Sequence, residues 1–137
     1  MLKPNFTGRW KFNPARSLLQ IKAPDATEFV IEHQEPALHI SRTHIVGGQR
    51  DTFSLALTTD GQEVAVAQDD LQLRCCAYWE GDTLVFDTKV IRADVEGTNL
   101  VRYTLLDDGA TFQAEERFRS SVLNYDNLWL LDRVEPG

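Results

Sequence analysis

The sequence of 137 residues has few of the features that mark membrane or nucleic-acid-binding proteins. It contains no apolar stretch long enough to cross a bilayer, and its first residues lack the apolar run of a signal peptide. No cluster of lysines or arginines occurs, and the net charge is -7. Because nucleic acids and anionic membrane surfaces bind basic patches, we expect neither as a partner. The chain as written is predicted to be cytoplasmic, and to be exported only if a leader was removed.

Cysteine is scarce as well, and its two occurrences, Cys75 and Cys76, are adjacent. Neighbouring residues of a strand point to opposite faces, so a disulfide between them would distort the peptide. We therefore predict two free thiols, which is compatible with a reducing compartment. A chain of this length buries an adequate core without such a staple, and we expect a single domain over residues 1–137.

Helical periodicity is almost absent. From residue 26 onward the sequence reads as short alternating strands that end in tight-turn signals such as Gly47-Gly48 and Glu80-Gly81-Asp82. Strands are predicted at about residues 7–13, 27–34, 37–46, 50–59, 62–67, 71–79, 83–91, 99–106, 110–119 and 127–134. A short helical turn is predicted from Pro14 to Leu19, where a lid over a barrel mouth would lie.

The short connections favour a barrel over a sandwich. Sandwiches need long crossovers between their sheets, and only residues 92–98 and 119–126 offer candidates. A meander of nine or ten strands curls, and closure removes its exposed edges. The predicted fold is therefore all-β, a single antiparallel meander barrel, whose interior holds either a packed core or one small ligand.

A G-x-W motif, Gly8-Arg9-Trp10, begins the first strand, and Arg133 lies near the end of the last. On these residues and the meander between them, the chain resembles the calycin group of lipocalins, fatty-acid-binding proteins and bacterial lipocalin-like proteins. The resemblance implies that Trp10 plugs the closed end of the barrel and that Arg133 stacks across it. It also implies an internal cavity for a small, mostly apolar ligand, and it transfers no catalytic residue.

The sequence departs from both branches of that group. No long helix follows the eighth strand, as it does in lipocalins. The segment of residues 14–24 is too short, and too bounded by proline, for the helix–turn–helix lid of fatty-acid-binding proteins.

Strand alternation predicts a polar spot on the inward faces. It directs Arg42, His44 and Glu116 inward, with Tyr103 close by. Polar groups converging in an apolar cavity are typical of a ligand site, and Arg42 is the natural partner of a carboxylate. The alternative is a wet barrel rim where an Arg–Glu pair is only a surface contact. The predicted apolar wall consists of Phe29, Ile31, Leu55, Phe86, Phe112, Trp79 and Trp129.

No metal or other cofactor is predicted. The three histidines, His33, His39 and His44, do not meet in the predicted register, and a metal site needs three or four well-placed ligands. A haem with one axial histidine is left open. The sequence has no G-x-S-x-G motif and no cysteine with an assigned histidine partner.

Three functions are compatible with these observations. The first hypothesis is a non-enzymatic carrier that binds a small hydrophobic or amphipathic molecule inside the barrel. The second is a barrel enzyme, an isomerase or hydrolase, in which His44 and Glu116 act as acid and base. The third is an interaction module without a cavity. The sequence leaves the ligand's identity and the oligomeric state open.

Overall fold

The computed structural model describes residues 3–134, and these residues form ten antiparallel strands. The strands are β1 (Gly8–Phe12), β2 (Ala26–Gln34), β3 (Ala37–Val46), β4 (Gln49–Thr58), β5 (Val64–Gln68), β6 (Leu71–Glu80), β7 (Thr83–Arg92), β8 (Val95–Leu106), β9 (Thr111–Ser120) and β10 (Asn124–Arg133). A three-residue 3-10 turn at Asp107–Gly109 connects β8 to β9. Within the described residues there is no helix with the length and apolarity required to span a membrane.

The strands form one sheet in the order β4-β3-β2-β1-β10-β9-β8-β7-β6-β5. Consecutive strands pair with each other except β4 and β5, and β1 also pairs with β10, so the first and last strands join in the middle of the sheet. The two ends, β4 and β5, do not pair, but β4 approaches β6 where the sheet curls round. The predicted antiparallel meander barrel is therefore confirmed, and it is nearly closed.

The alternation of apolar residues sets the register of the strands. A two-residue turn, Glu35-Pro36, places His33 opposite Leu38, as the sequence predicts. A slip of one residue would turn every inward side chain of the hairpin to solvent, so burial of one face fixes this pairing. The inward face of β3 consequently runs from Leu38 to Arg42 and His44.

Two predicted connections are wrong in length. Residues 92–98 and 119–126 were candidates for crossovers, but β8 begins at Val95 and β10 begins at Asn124. Tight hairpin turns remain at 93–94 and 121–123. Polar residues within 95–99 and 124–127 hide the strand pattern, although they pair with β7 and β9. The segment after β1 contains a turn at residues 14–16 and no helix.

One end of the barrel is closed by aromatic packing. Phe6, which precedes β1, is fully buried, and its ring contacts Phe112 edge-on at 6.3 Å between centroids. Trp10 meets the same Phe112 ring at 5.0 Å and donates from Nε1 to the Phe6 carbonyl at 3.0 Å. The Arg133 guanidinium lies 4.2 Å from the centroid of the Trp10 ring. An indole face attracts a cation, so this stack covers the buried ring at the barrel's end.

The segment of residues 13–25 completes the wall where β1 is too short. The Asn13 backbone N–H donates to the Leu130 carbonyl at 2.8 Å, and Leu18 exchanges two backbone hydrogen bonds with Leu128. The Gln20 backbone N–H donates to Asn127 Oδ1 at 2.8 Å. These bonds satisfy the side of β10 that β1 does not reach, and they place Ile21 against the interior.

Candidate functional site: a cavity at the open end of the barrel

A cavity of about 400 Å³ occupies the half of the barrel opposite the Trp10 end. Its volume is in the range of small-molecule binding pockets. The wall is formed by Ile21, Phe29, Ile40, Arg42, His44, Phe53, Leu55, Leu71, Leu73, Cys75, Phe86, Thr88, Val90, Asn99, Val101, Tyr103, Ala114, Glu116, Phe118, Tyr125 and Trp129. Most of these side chains are aliphatic or aromatic, so the wall is predominantly apolar.

Most residues predicted for the site lie on this wall. The four polar ones do, together with Phe29, Leu55, Phe86 and Trp129. Ile31, Phe112 and Trp79, which the sequence also assigned to the apolar wall, lie outside this lining. Ile31 and Phe112 belong to the solid core beneath it. Trp79 lies near the closed-end terminus of β6, where it stacks on Phe6 and donates from Nε1 to Glu35 at 3.1 Å.

Arg42 is a cation on this wall without an anionic partner. None of the ion pairs formed by residues 3–134 includes it. Its Nε is buried and has no hydrogen-bond acceptor. The guanidinium lies 5.5 Å from the centroid of the Phe53 ring, which is the neighbour that the fold supplies. A buried donor left unpaired costs about 1–3 kcal/mol, so an anion bound here would recover that free energy.

His44 is held as a neutral imidazole at ordinary pH. Its Nδ1 is 2.7 Å from the buried Thr27 hydroxyl, and its ring stacks on Trp129 at 5.8 Å. Burial, and to a lesser extent the positive charge of Arg42, lower the pKa of His44 to about 4. Near neutral pH this residue adds hydrogen-bonding capacity to the cavity and no charge.

Glu116 is, in contrast, fully engaged by the protein. One carboxylate oxygen accepts hydrogen bonds from Asn127 Nδ2 at 2.9 Å and from Trp129 Nε1 at 3.0 Å. The other accepts from Asn99 Nδ2 at 2.9 Å. Three neutral side-chain donors therefore satisfy both carboxylate oxygens. Glu116 therefore organises this side of the cavity and does not neutralise Arg42.

The remaining polar groups of the wall are unreactive. Burial raises the pKa of Tyr103 far above its usual range, and burial together with Glu116 raises that of Tyr125. The Cys75 thiol accepts a hydrogen bond from the Thr88 hydroxyl at 3.1 Å, and burial raises its pKa. A thiol without thiolate character is a poor nucleophile, so Cys75 contributes only its side-chain volume to the cavity lining. Cys76 is the second free thiol, on the opposite face of β6.

Sequence reasoning missed several wall residues. Asn99 lies within β8, whose predicted start was residue 99, and Tyr125 lies in the part of β10 that was assigned to a loop. Asn127, which holds Glu116, was predicted only as the first residue of the last strand. The inward–outward alternation of side chains could have revealed Asn99. Residues 97 and 99 continue the inward face that residue 101 occupies in β8.

The arrangement does not support acid–base chemistry by His44 and Glu116. Among the described residues no hydrogen bond joins the two, because Trp129 lies between them and donates to Glu116. A general base works best with a pKa near the operating pH, and that of His44 is far below neutrality. The cavity itself also argues against a module with a solid interior.

No cluster for a metal ion is found in the part of the chain that the structure describes. No three side chains of histidine, cysteine, aspartate or glutamate converge there. His33 is used at the closed end, where its Nδ1 accepts from the Phe6 amide at 3.2 Å.

Comparison with known proteins shows relatives of the fold. No family model and no curated protein matches the sequence. Among solved structures, secretory abundant heat soluble protein 4 from Ramazzottius varieornatus matches with a TM-score of 0.61 and 14% identity, over 98% of this chain and 99% of that one. A secretory abundant heat soluble protein of the same organism matches with a TM-score of 0.68 and 11% identity, over 96% and 98%.

A third solved structure is a fatty acid binding protein of Schistosoma mansoni in complex with arachidonic acid. It matches with a TM-score of 0.58 and 7% identity, over 95% of this chain and 96% of that one. Each match spans nearly the whole of both chains, so the likeness concerns the complete barrel. The chain has the calycin-like barrel fold that the G-x-W motif and Arg133 predicted from the sequence.

Proposed function

We propose that this protein is a non-enzymatic carrier whose cavity binds a small amphipathic molecule with an anionic head group. The observation that carries the proposal is Arg42, a cation on an apolar wall with a buried, unpaired Nε and no carboxylate partner among residues 3–134. A bound carboxylate would supply the missing charge and acceptor.

The apolar part of the wall suits the rest of such a molecule. Phe29, Phe53, Leu55 and Phe86 surround the cavity together with aliphatic residues of β6 and β7. Burying an apolar chain against them contributes roughly 25 cal/mol per Å² removed from water. The head group at Arg42 then determines orientation, while the chain supplies most of the affinity.

One solved relative of the fold supports this ligand class. The Schistosoma mansoni protein is in complex with arachidonic acid, a carboxylic acid with a long apolar chain. A barrel of this topology therefore accommodates an anionic amphiphile, and Arg42 gives the present chain a residue to recognise one.

Titration calorimetry on delipidated protein tests the proposal. We expect dodecanoate to bind the wild type, and Arg42→Met to weaken that binding by about 10- to 100-fold, because a hydrogen bond to a charged group contributes about 1.5–3 kcal/mol. Dodecanol, which has the same chain without the charge, is expected to bind wild type and variant alike.

Arg74→Met is the matched control, since Arg74 is exposed on the outer face of β6. It removes one positive charge and is expected to leave dodecanoate binding at the wild-type level. Arg42→Met removes a buried unpaired donor, so we expect the ligand-free variant to remain folded by circular dichroism. Absence of binding by either ligand would contradict the carrier, and equal dodecanoate affinity for wild type and Arg42→Met would contradict the role of Arg42.

A further inference from the structure

A second polar atom of the cavity is also unpaired, and it has the opposite character. Asn99 Oδ1 is buried and accepts no hydrogen bond from the residues that the structure describes. Its amide nitrogen is bound to Glu116 Oε2 at 2.9 Å. Asn99 therefore presents an acceptor, whereas Arg42 presents a donor.

The orientation of this amide follows from its neighbour. If the Asn99 amide were reversed, its oxygen would face the Glu116 carboxylate, and two acceptors would oppose each other. Asn127 and Trp129 already donate to the other carboxylate oxygen, so both oxygens of Glu116 act as acceptors. The free atom of Asn99 is thus the oxygen, and it needs an N–H or O–H donor.

Asn99 and Arg42 face the same space. Both line the cavity, and Arg42 and Glu116 together act on the electrostatics of His44, Tyr103 and Tyr125. A plain fatty acid offers a carboxylate for Arg42 but no donor for Asn99 once it is ionised. Its apolar chain would leave Asn99 Oδ1 desolvated and unpaired.

We propose that the preferred ligand carries a hydroxyl group in addition to its anionic head, and that this hydroxyl donates to Asn99 Oδ1 while the head binds Arg42. The inference rests on the proposed carrier function and defines its ligand class as hydroxylated anionic amphiphiles. A site built to accept a hydrogen bond discriminates against analogues that lack the donor, because the buried acceptor is then left without a partner.

Calorimetric titrations with a matched series of acids test this selectivity. The series is decanoic acid and its derivatives hydroxylated at the second, third or terminal carbon, each titrated into delipidated full-length protein at neutral pH. We expect at least one hydroxylated acid to bind about five- to tenfold more tightly than decanoic acid, the range of one net hydrogen bond to a buried group. In Asn99→Leu the preference is expected to disappear while decanoic acid still binds through Arg42.

Thr98→Ala is the control, because Thr98 is exposed on the outer face of the same strand. It is expected to retain the preference. If Asn99→Leu does not fold, Asn99→Ala and the wild-type series decide the question. Equal or weaker binding of every hydroxylated acid would overturn the inference, as would a preference that survives loss of Asn99, while binding of decanoic acid would still support the carrier. Failure of all the acids to bind would instead contradict the carrier itself.

Discussion

At the scale of the residue, the cavity is governed by how each polar side chain is paired. Glu116 has three protein donors and His44 has Thr27, whereas the partner that residues 3–134 give the Arg42 guanidinium is the face of Phe53. Buried polar groups are nearly always hydrogen-bonded, so an exception at a pocket wall indicates a place for a ligand. The unpaired atoms of Arg42 and Asn99 are such exceptions.

The environment of His44 predicts how the stability of the protein depends on pH. Its pKa is lowered to about 4 in the folded protein by burial and by Arg42, against 6.5 for the ordinary side chain. The unfolded chain therefore takes up a proton as the pH falls below about 6.5, whereas the folded protein resists until about 4. The contribution of His44 to the free energy of unfolding is therefore complete above about pH 6.5 and is lost as the pH falls from 6.5 to 4. Because His44 is partly solvated, we expect a loss of about 1–2 kcal/mol after discounting for screening.

Urea denaturation at several pH values measures this effect. In His44→Asn, which retains a hydrogen-bonding atom near Thr27 but does not titrate, we expect stability to fall less steeply between pH 6.5 and 4. His39→Asn removes an exposed histidine from the same strand and should keep the wild-type slope. Identical slopes in wild type and His44→Asn would show that His44 is not the responsible group.

At the scale of the element, β1 is a short strand that carries the closure of the barrel. It has only five residues, yet it joins β2 to β10 and places Trp10 under the Arg133 guanidinium. Gly8 begins the strand with φ of +149°, and a Cβ at this position would overlap Arg133 Nη1. The glycine of the G-x-W motif is therefore required for the close approach of the arginine to the indole.

Gly8→Ala is expected to destabilise the protein by about 2 kcal/mol, because the substitution strains the backbone and displaces Arg133 from Trp10. Chemical denaturation of the single and double variants with Arg133→Ala separates the two contributions. In the Arg133→Ala background we expect Gly8→Ala to cost less, since the overlapping guanidinium is gone. An equal cost in both backgrounds would show that the contact with Arg133 does not explain the glycine.

At the scale of the whole molecule, the barrel is incomplete between β4 and β5. Near the closed end the gap is bridged by a β-bridge between Asp60 and Tyr78 and by the Gly61 amide, which donates to the Ala77 carbonyl at 2.8 Å. Farther along, β4 and β5 leave one side of each strand unpaired. The edge strand β5 is short, at five residues, which limits pairing with other chains.

The open edge predicts uneven protection of backbone amides. We expect the amides of β5 to exchange with deuterium faster than those of β1, although both strands have five residues. The reason is that β1 is paired on both sides and β5 only with β6, so local opening breaks fewer interactions in β5. Hydrogen exchange followed by NMR measures the difference. Equal protection of the two strands would show that the gap is closed in solution.

Much of the fold was predictable because the evidence for it is local. The alternation in β2 and β3, ended by Glu35-Pro36, gave the hairpin register, and the turn signals gave the meander. The starts of β8 and β10 were not predictable, because their polar residues face a cavity or its rim and break the apolar pattern. Asn99 was missed for the same reason, since it is a polar residue on an inward face where the pattern expects an apolar one.

The sequence by itself determined which side chains face inward, since alternation along a strand is set by the two or three residues on either side. Only the tertiary structure decided how far along the barrel each inward residue lies, because that position depends on strand tilt and stagger across the closed sheet. Trp79 and Trp129 both alternate inward, yet one packs against Phe6 at the closed end and the other lines the cavity beside His44. Closure of the sheet likewise brings Arg42 of β3 and Asn99 of β8, which are not neighbouring strands, to one cavity.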